Sequence, residues 1–459
     1  MEATFVIIGG GIAGVSCAES LSILDSDNSV ILLSESALIK TATNVFAITR
    51  TLTSFEVKED NFDSFISRYP NVKVIHDTLE KINEDSHTIK TKSQLTIKYR
   101  YLCLCTGATP KLIPQANNYP EILGIRDTDS VELLVSKLSK SKRIAIVGNG
   151  GIATELIYQI KNVETHWIIK DKHISATFVD PGAAEFFNEG ILENKPTETI
   201  VCKRIRYNEE NVARRGAALG PDWYKNLNIS GSNSEGGKKI IIHYEVEVKD
   251  IHKEENGSLE LILTNNEKVH CDLVVSATGV CPNLSFTCDK LQLSKDGFIN
   301  VDEFMRTSVK DVYAAGDVCN ANWEPAKHWF QMKLWTQARH MGCYAAKSMY
   351  GALSKEEVLQ DFCFEIFSHS TKLFGFKVIL LGLFNGQKLG TNYEILLRMT
   401  KKQEYVKFVL ENNKLQGAIL IGDTDLEEMC ENLILNQLDL SPFGDDILNP
   451  DIDIEDYFD

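Results

Sequence analysis

A chain of 459 residues exceeds what one hydrophobic core usually serves, so two or three domains are expected. With 43% hydrophobic and 24% charged residues it has an ordinary globular composition, which argues against a disordered or fibrous protein. The formal charge of −16 argues against a basic face that coats phosphates, and no direct nucleic-acid binding is expected.

The chain runs from Met1 straight into the apolar strand Phe5-Val6-Ile7-Ile8, without the charged and apolar regions of a secretion signal. No apolar run approaches the ~18–20 residues of a membrane span. The 11 cysteines are odd in number and form no CxxC, a pattern that fits reduced thiols. A soluble, intracellular protein without a membrane association is expected.

The first organising signal is Gly9-Gly10-Gly11-Ile12-Ala13-Gly14, a G-x-G-x-x-G turn between that strand and a helix. Missing side chains at Gly9, Gly11 and Gly14 let the backbone close on a pyrophosphate, whose charge sits at the helix N-terminus. A tight structural turn is the plainer alternative, but the place between strand and helix favours the dinucleotide. The next strand, Val30-Ile31-Leu32-Leu33, ends in Ser34 and Glu35. Either could contact a ribose, Ser34 through its hydroxyl or Glu35 through its carboxylate, and an ordinary polar strand end is equally consistent. A later strand closes on Thr106-Gly107-Ala108, a small-residue turn.

The same unit then repeats at residues 143–160, with Gly148-Asn149-Gly150-Gly151-Ile152-Ala153 as its turn. Gly148, Gly150 and Ala153 are the small positions, and a nicotinamide dinucleotide is expected there. The second strand of this unit ends in Lys170-Asp171: a lysine suits a 2′-phosphate and NADPH, an aspartate suits a ribose and NADH, and both readings stand. The answering turn is Thr278-Gly279. Between Cys202 and Lys239 lies a polar stretch containing Gly220-Pro221-Asp222-Trp223, read as a long insertion in the second nucleotide domain.

Val312-Tyr313-Ala314-Ala315-Gly316-Asp317 supplies the Gly-Asp that brings a carboxylate to the ribityl and pyrophosphate part of FAD in two-dinucleotide flavoproteins. A helix is predicted over about 329–350; resemblance to two-dinucleotide flavoproteins implies that its N-terminus faces the flavin pyrimidine edge, with Trp335, Thr336 and Gln337 near the ring. For Trp335 simple interface packing is the commoner role. From about residue 362 the pattern becomes strands at 362–368, 377–383, 393–399, 405–410 and 415–421, then a helix around 425–438. The end of the chain is acidic. Its carboxylates, with Asp453, Glu455, Asp456, Tyr457, Phe458 and Asp459 among the last residues, suit docking in a basic pocket of a partner or ligating a hard metal there, against the alternative of a solvated tail.

These motifs in this order resemble the pyridine nucleotide-disulphide oxidoreductase family. The resemblance implies an α/β flavoprotein with two dinucleotide-binding, Rossmann-like domains, a small C-terminal α+β domain and an acidic tail. The implied boundaries are 1–118 with 282–355 for FAD, 119–281 for NAD(P) with an insertion at about 203–238, 360–442 for the last domain and 443–459 for the tail. It implies FAD as cofactor and NADH or NADPH as electron donor, with no metal.

The sequence departs from the wider family in one respect. Disulphide reductases carry C-x4-C after the second strand, and related enzymes a single cysteine there, whereas this chain has none between Cys17 and Cys103. A thiol relay at that place is excluded. No His-Pro…Glu pair follows in the last domain. By resemblance Lys40 and Glu155 take the place of the lysine–glutamate pair beside flavin N5, where a cation favours reduced flavin. Gly124-Ile125-Arg126-Asp127, Gly220-Pro221-Asp222-Trp223, Trp335-Thr336-Gln337-Ala338 and the ending Glu455-Asp456-Tyr457-Phe458-Asp459 carry a closer likeness to a branch of the family without redox cysteines. That likeness implies a place in nucleus and cytoplasm and a partnership with the tRNA-splicing ligase complex, which it protects from oxidative inactivation.

Overall fold

The computed structural model describes residues 1–192, 200–205 and 239–449. The first sheet has Val72–His76, Val30–Ser34, Glu2–Ile8, Thr96–Leu104, Thr88–Thr91 and Leu79–Asn83 in that order, with Val312–Ala314 also pairing with Thr96–Leu104. Its central strands Val30–Ser34, Glu2–Ile8, Thr96–Leu104 and Val312–Ala314 pair in parallel, and their C-terminal halves, buried on both faces, read as apolar runs. Helix Ile12–Leu24 leaves the first glycine turn and lies against helix Trp335–Ser354. At that crossing a side chain on Gly342 would meet the Ala13 carbonyl oxygen at 2.2 Å, so only glycine allows the approach.

The second sheet, Ile122–Leu123, Leu273–Ser276, Arg143–Val147, Glu164–Ile168 and Lys239–His243, is parallel throughout. A three-stranded meander, Val248–Lys253, Leu259–Leu263 and Lys268–Cys271, covers one face and shares a core with Ala145, Val147 and Ile168. On the other face Leu134, Leu156 and Phe187 merge with Phe367, Val378 and Ile419 of the last domain into one core. The two nucleotide units are joined by a narrow ribbon in which Ala108–Pro110 runs antiparallel to Val280–Pro282.

The third sheet has six strands, in the order Ile200–Ile205, Glu394–Thr400, Glu404–Glu411, Lys414–Ile421, Phe376–Gly382 and Ser368–Leu373. Ile200–Ile205, within the span 119–281 read as one nucleotide domain, leaves that domain's sheet and pairs antiparallel with Glu394–Thr400. The expected strand at 362–368 is corrected. Phe362–Phe364 is a 3-10 turn, and the strand is Ser368–Leu373. Phe364, Ile366 and Phe367 enter three different cores, so no single sheet face sets their spacing.

The predicted helix at 329–350 in fact spans Trp335–Ser354. Gln337 holds the preceding segment extended: its side-chain oxygen accepts from the Met332 N–H at 2.8 Å and its amide donates to Phe330 O at 2.9 Å. An element not anticipated from sequence is the hairpin Leu38–Ala47 with Thr53–Asn61. The chain joining its strands is latched to buried Glu431 of helix Glu427–Asn436, whose carboxylate accepts from Thr49 Oγ1 at 2.5 Å, from the Arg50 and Thr51 N–H groups at 3.0 and 3.1 Å, and from Thr51 Oγ1. Among the described residues no helix is long and apolar enough to cross a membrane.

Candidate active site

The glycines of the first turn divide their work. Gly9 has φ +121°, and a side chain there would lie 2.1 Å from the Cys105 carbonyl oxygen; one on Gly14 would lie 2.0 Å from Gly9 O. Both are therefore needed for the turn to pack. Gly11, the N-cap of helix Ile12–Leu24, would meet nothing within 4 Å and has no side-chain cap. Open space in front of uncapped N–H groups at a helix N-terminus suits a pyrophosphate. Of the two ribose candidates, Ser34 is buried and donates to Ser36 O at 2.7 Å, whereas Glu35 stands exposed at the strand end.

Lys40 lies on the hairpin strand Leu38–Ala47, and its N–H donates to Gly10 O at 2.9 Å. Its ammonium sits 5.2 Å from the centre of the Trp335 ring. Burial holds its pKa below the ordinary lysine value, while Glu59 and Asp127 raise it and Arg126 lowers it further. Glu155 is buried on helix Gly151–Gln159. Trp335 opens its helix with an indole N–H that is buried and has no partner among the described residues, so an acceptor from a bound molecule would complete it. Thr336 is buried, and its hydroxyl lies 3.3 Å from His369 Nδ1, a residue of the last domain.

Thr106 and Gly107, assigned to FAD from the sequence, both bond to Asn283. The Thr106 hydroxyl donates to Asn283 O at 2.7 Å, and the Asn283 N–H donates to Gly107 O at 2.9 Å. The second unit repeats the arrangement: Thr278 Oγ1 donates to Lys111 O at 2.6 Å and the Lys111 N–H to Gly279 O at 2.9 Å. The two Thr-Gly turns thus clamp the ribbon between the nucleotide units. Gly107 and Gly279 have φ +68° and +105°. Asp317 lies in the short turn Gly316–Val318; burial raises its carboxyl pKa, and the Lys333 ammonium opposes that rise.

In the second glycine turn Gly148 has φ +128° and would clash with Ala277 O at 2.1 Å, while Gly150 caps helix Gly151–Gln159 without a side-chain bond. Ala153 is buried in that helix. Asn149 organises the loop after the second strand: its amide donates to Asp171 Oδ2 and His173 O, both at 2.9 Å, and its oxygen accepts from the Ser175 N–H at 2.6 Å. Asp171 is drawn to the turn, and Lys170 stands exposed. The tail residues Asp453, Glu455, Asp456, Tyr457, Phe458 and Asp459 lie outside the described residues.

The thiols nearest the first glycine turn and the Gly-Asp turn lie inside the protein. Cys17, Cys103, Cys105 and Cys319 are buried, and burial pushes the Cys319 thiol up to about 12. Among the described residues, one trio that could take a metal is Glu254, Glu260 and His270, whose ligand atoms lie within 4.8 Å of one another. There the His270 ring already faces Glu254 at 2.9 Å, and Lys268 faces Glu260 at 3.0 Å.

Sequence comparison agrees with this geometry. The pyridine nucleotide-disulphide oxidoreductase family description matches residues 3–201 and 236–342, and the rubredoxin NAD+ reductase C-terminal domain matches 368–438. The chain belongs to the pyridine nucleotide-disulphide oxidoreductase family. It is 52% identical to pyridine nucleotide-disulfide oxidoreductase domain-containing protein 1 of Drosophila melanogaster, covering 99% of each chain. Against the Homo sapiens protein of that name it is 44% identical, covering 99% of this chain and 98% of the other. Putidaredoxin reductase, in its covalent complex with putidaredoxin, shares the fold, with a TM-score of 0.70 and 15% identity over 97% of each chain.

FAD and NAD(P)H are the cofactors of this oxidoreductase family, and the residues present fit them: open space at Gly11, an unmatched indole N–H at Trp335 and a second uncapped helix N-terminus at Gly150. Three residues that sequence reading missed now stand beside the family motifs. Asn149 occupies a variable place inside its glycine turn, Lys333 is a buried lysine that burial statistics place outside, and His369 reaches Thr336 from another domain.

Proposed function

We propose that the chain is an FAD-dependent NAD(P)H oxidoreductase that uses no cysteine relay. The observation that carries this reading is the pairing of two glycine turns with a stretch from residue 18 to 102 free of cysteine, while Cys17 and Cys103 at its two ends are buried. When bound, the flavin supplies a hydride acceptor for the nicotinamide. The protein positions the two cofactors through Gly11 and Gly150, keeps their domains in register through the Thr106 and Thr278 clamps, and sets the Lys40 ammonium over Trp335. We assign Glu155, with Lys40, to the environment of the reacting ring. Glu35 is the residue of choice for the FAD ribose. Asp171 and Lys170 keep NADH and NADPH both open.

A second reading, transfer to oxygen or another small acceptor, draws support from 24% identity over 295 residues to an NADH oxidase of Enterococcus faecalis, covering 63% of this chain and 56% of that one. A third is a redox-nucleotide sensor whose bound state a partner reads. Stopped-flow absorbance separates them. Bleaching by NADH with a long-wavelength band that persists in air supports a guarded flavin, rapid reoxidation supports the oxidase, and no bleaching by either nucleotide sinks both in favour of the sensor.

We also propose the partnership implied by resemblance, protection of the tRNA-splicing ligase complex from oxidative inactivation in nucleus and cytoplasm, with the acidic ending as the docking element. Deleting residues 451–459 and measuring co-purification and ligase survival under peroxide tests it; unchanged binding and protection would remove the tail from the account.

A further inference from the structure

The segment between Asp317 and Trp335, two residues that family resemblance assigns to the flavin, folds around a cavity of about 210 Å³. Its walls include Trp323, Pro325, Trp329 and Phe330, with Asn320 and Lys333 as polar edges. We propose that this cavity binds a small planar electron acceptor, a quinone. The proposal rests on the oxidoreductase reading above and names the acceptor class for the same site.

Size sets the first limit. The volume falls below the about 300–1,000 Å³ of sites for drug-sized ligands, so it suits one or two rings and excludes a dinucleotide. The walls are built before any ligand arrives. Trp323 and Trp329 stack with centroids 5.5 Å apart, and both meet Phe364 edge-on. Gln331 is fixed by accepting from the Ala321 N–H at 2.8 Å and donating to Cys319 O at 3.0 Å. A wall held this way loses little freedom when a flat ring lies against it.

Chemistry sets the second limit. Lys333 is buried, its ammonium donating to Cys319 O and lying 4.3 Å from the centre of the Phe298 ring. A quinone carbonyl is an acceptor that meets this cation, and its reduction gathers negative charge on the oxygen facing it. Molecular oxygen has no use for aromatic walls. The overall change balances as NAD(P)H + H+ + quinone giving NAD(P)+ + hydroquinone. One C–H bond of the nicotinamide breaks, two O–H bonds form, and solvent supplies the second proton.

The test titrates oxidised holoprotein calorimetrically with tetramethyl-1,4-benzoquinone, whose blocked ring carbons spare the thiols. Saturable binding is expected, weakened at least tenfold by Pro325→Trp, which fills the cavity, and by Trp323→Ala, which removes a wall. FAD content and flavin bleaching by NADH are expected to stay at wild-type level in both variants. No binding by wild type, or equal binding by both variants, overturns the proposal. Loss of FAD together with quinone binding also overturns it, since the cavity would then belong to the flavin. Should NADH fail to bleach wild-type protein, the oxidoreductase reading falls, while the calorimetric result still judges the cavity.

Discussion

The Lys40 ammonium lies 5.2 Å from the centre of the Trp335 ring, at the start of the helix that family resemblance aims at the flavin. A cation at that place favours the more electron-rich state of a bound ring. Lys40→Met is therefore expected to lower the two-electron flavin potential by ~30 mV, equivalent to about 1.4 kcal/mol. Lys40→Arg should hold it near wild type. Potentiometric titration of the three proteins decides, and equal potentials would make Lys40 a bystander.

Two glycines two residues apart should fail differently. Gly9→Ala places a methyl against Cys105 O in a backbone region that costs about 1–3 kcal/mol for a non-glycine residue, before the clash is counted. Its melting temperature should drop sharply. Gly11→Ala adds a methyl to open space and should melt like wild type, yet purify with at least tenfold less FAD. Normal flavin content in the Gly11 variant would place the pyrophosphate elsewhere.

The clamps across the ribbon should stabilise the protein without touching chemistry. Thr106→Val and Thr278→Val remove the hydrogen bonds to Asn283 O and Lys111 O, at 2.7 and 2.6 Å, and should cost about 1 kcal/mol apiece in urea unfolding. FAD content should be unchanged. A loss of flavin in Thr106→Val with unaltered stability would return that hydroxyl to the ligand.

His369 makes stability depend on acid. Burial pushes its pKa from 6.5 down to about 4, so the folded protein holds the neutral ring while the unfolded chain takes up a proton. Stability from this ring is complete above pH 6.5 and is lost as pH falls through 6.5 towards 4. At pH 5 the loss is about 2 kcal/mol relative to pH 7. His369→Gln should flatten that dependence by this amount in paired urea melts, and identical slopes would argue against a neutral buried ring.

The two glycine turns were legible because their geometry forbids side chains: at Gly9, Gly14 and Gly148 a carbonyl stands where a methyl would go. The turn holding Asp317 was legible through its place after the apolar strand Val312–Ala314. The hairpin carrying Lys40 was not, since its strand Leu38–Ala47 mixes threonine, asparagine and lysine with apolar residues and is held partly by Glu431, nearly 400 residues away in sequence. Lys333 escaped for a related reason. Nothing local marks a lysine for burial; its surroundings come from Asp317, Cys319 and Phe298, which only the tertiary structure gathers.

Strand Ile200–Ile205 starts from the second nucleotide unit and closes the edge of the last domain's sheet against Glu394–Thr400. The final domain is consequently woven into its neighbour and is no bead on a string. Truncating the chain near residue 360 would strip this strand of its hydrogen-bonding mate and bare the apolar face around Phe187, so a shortened protein should aggregate where a modular one would survive.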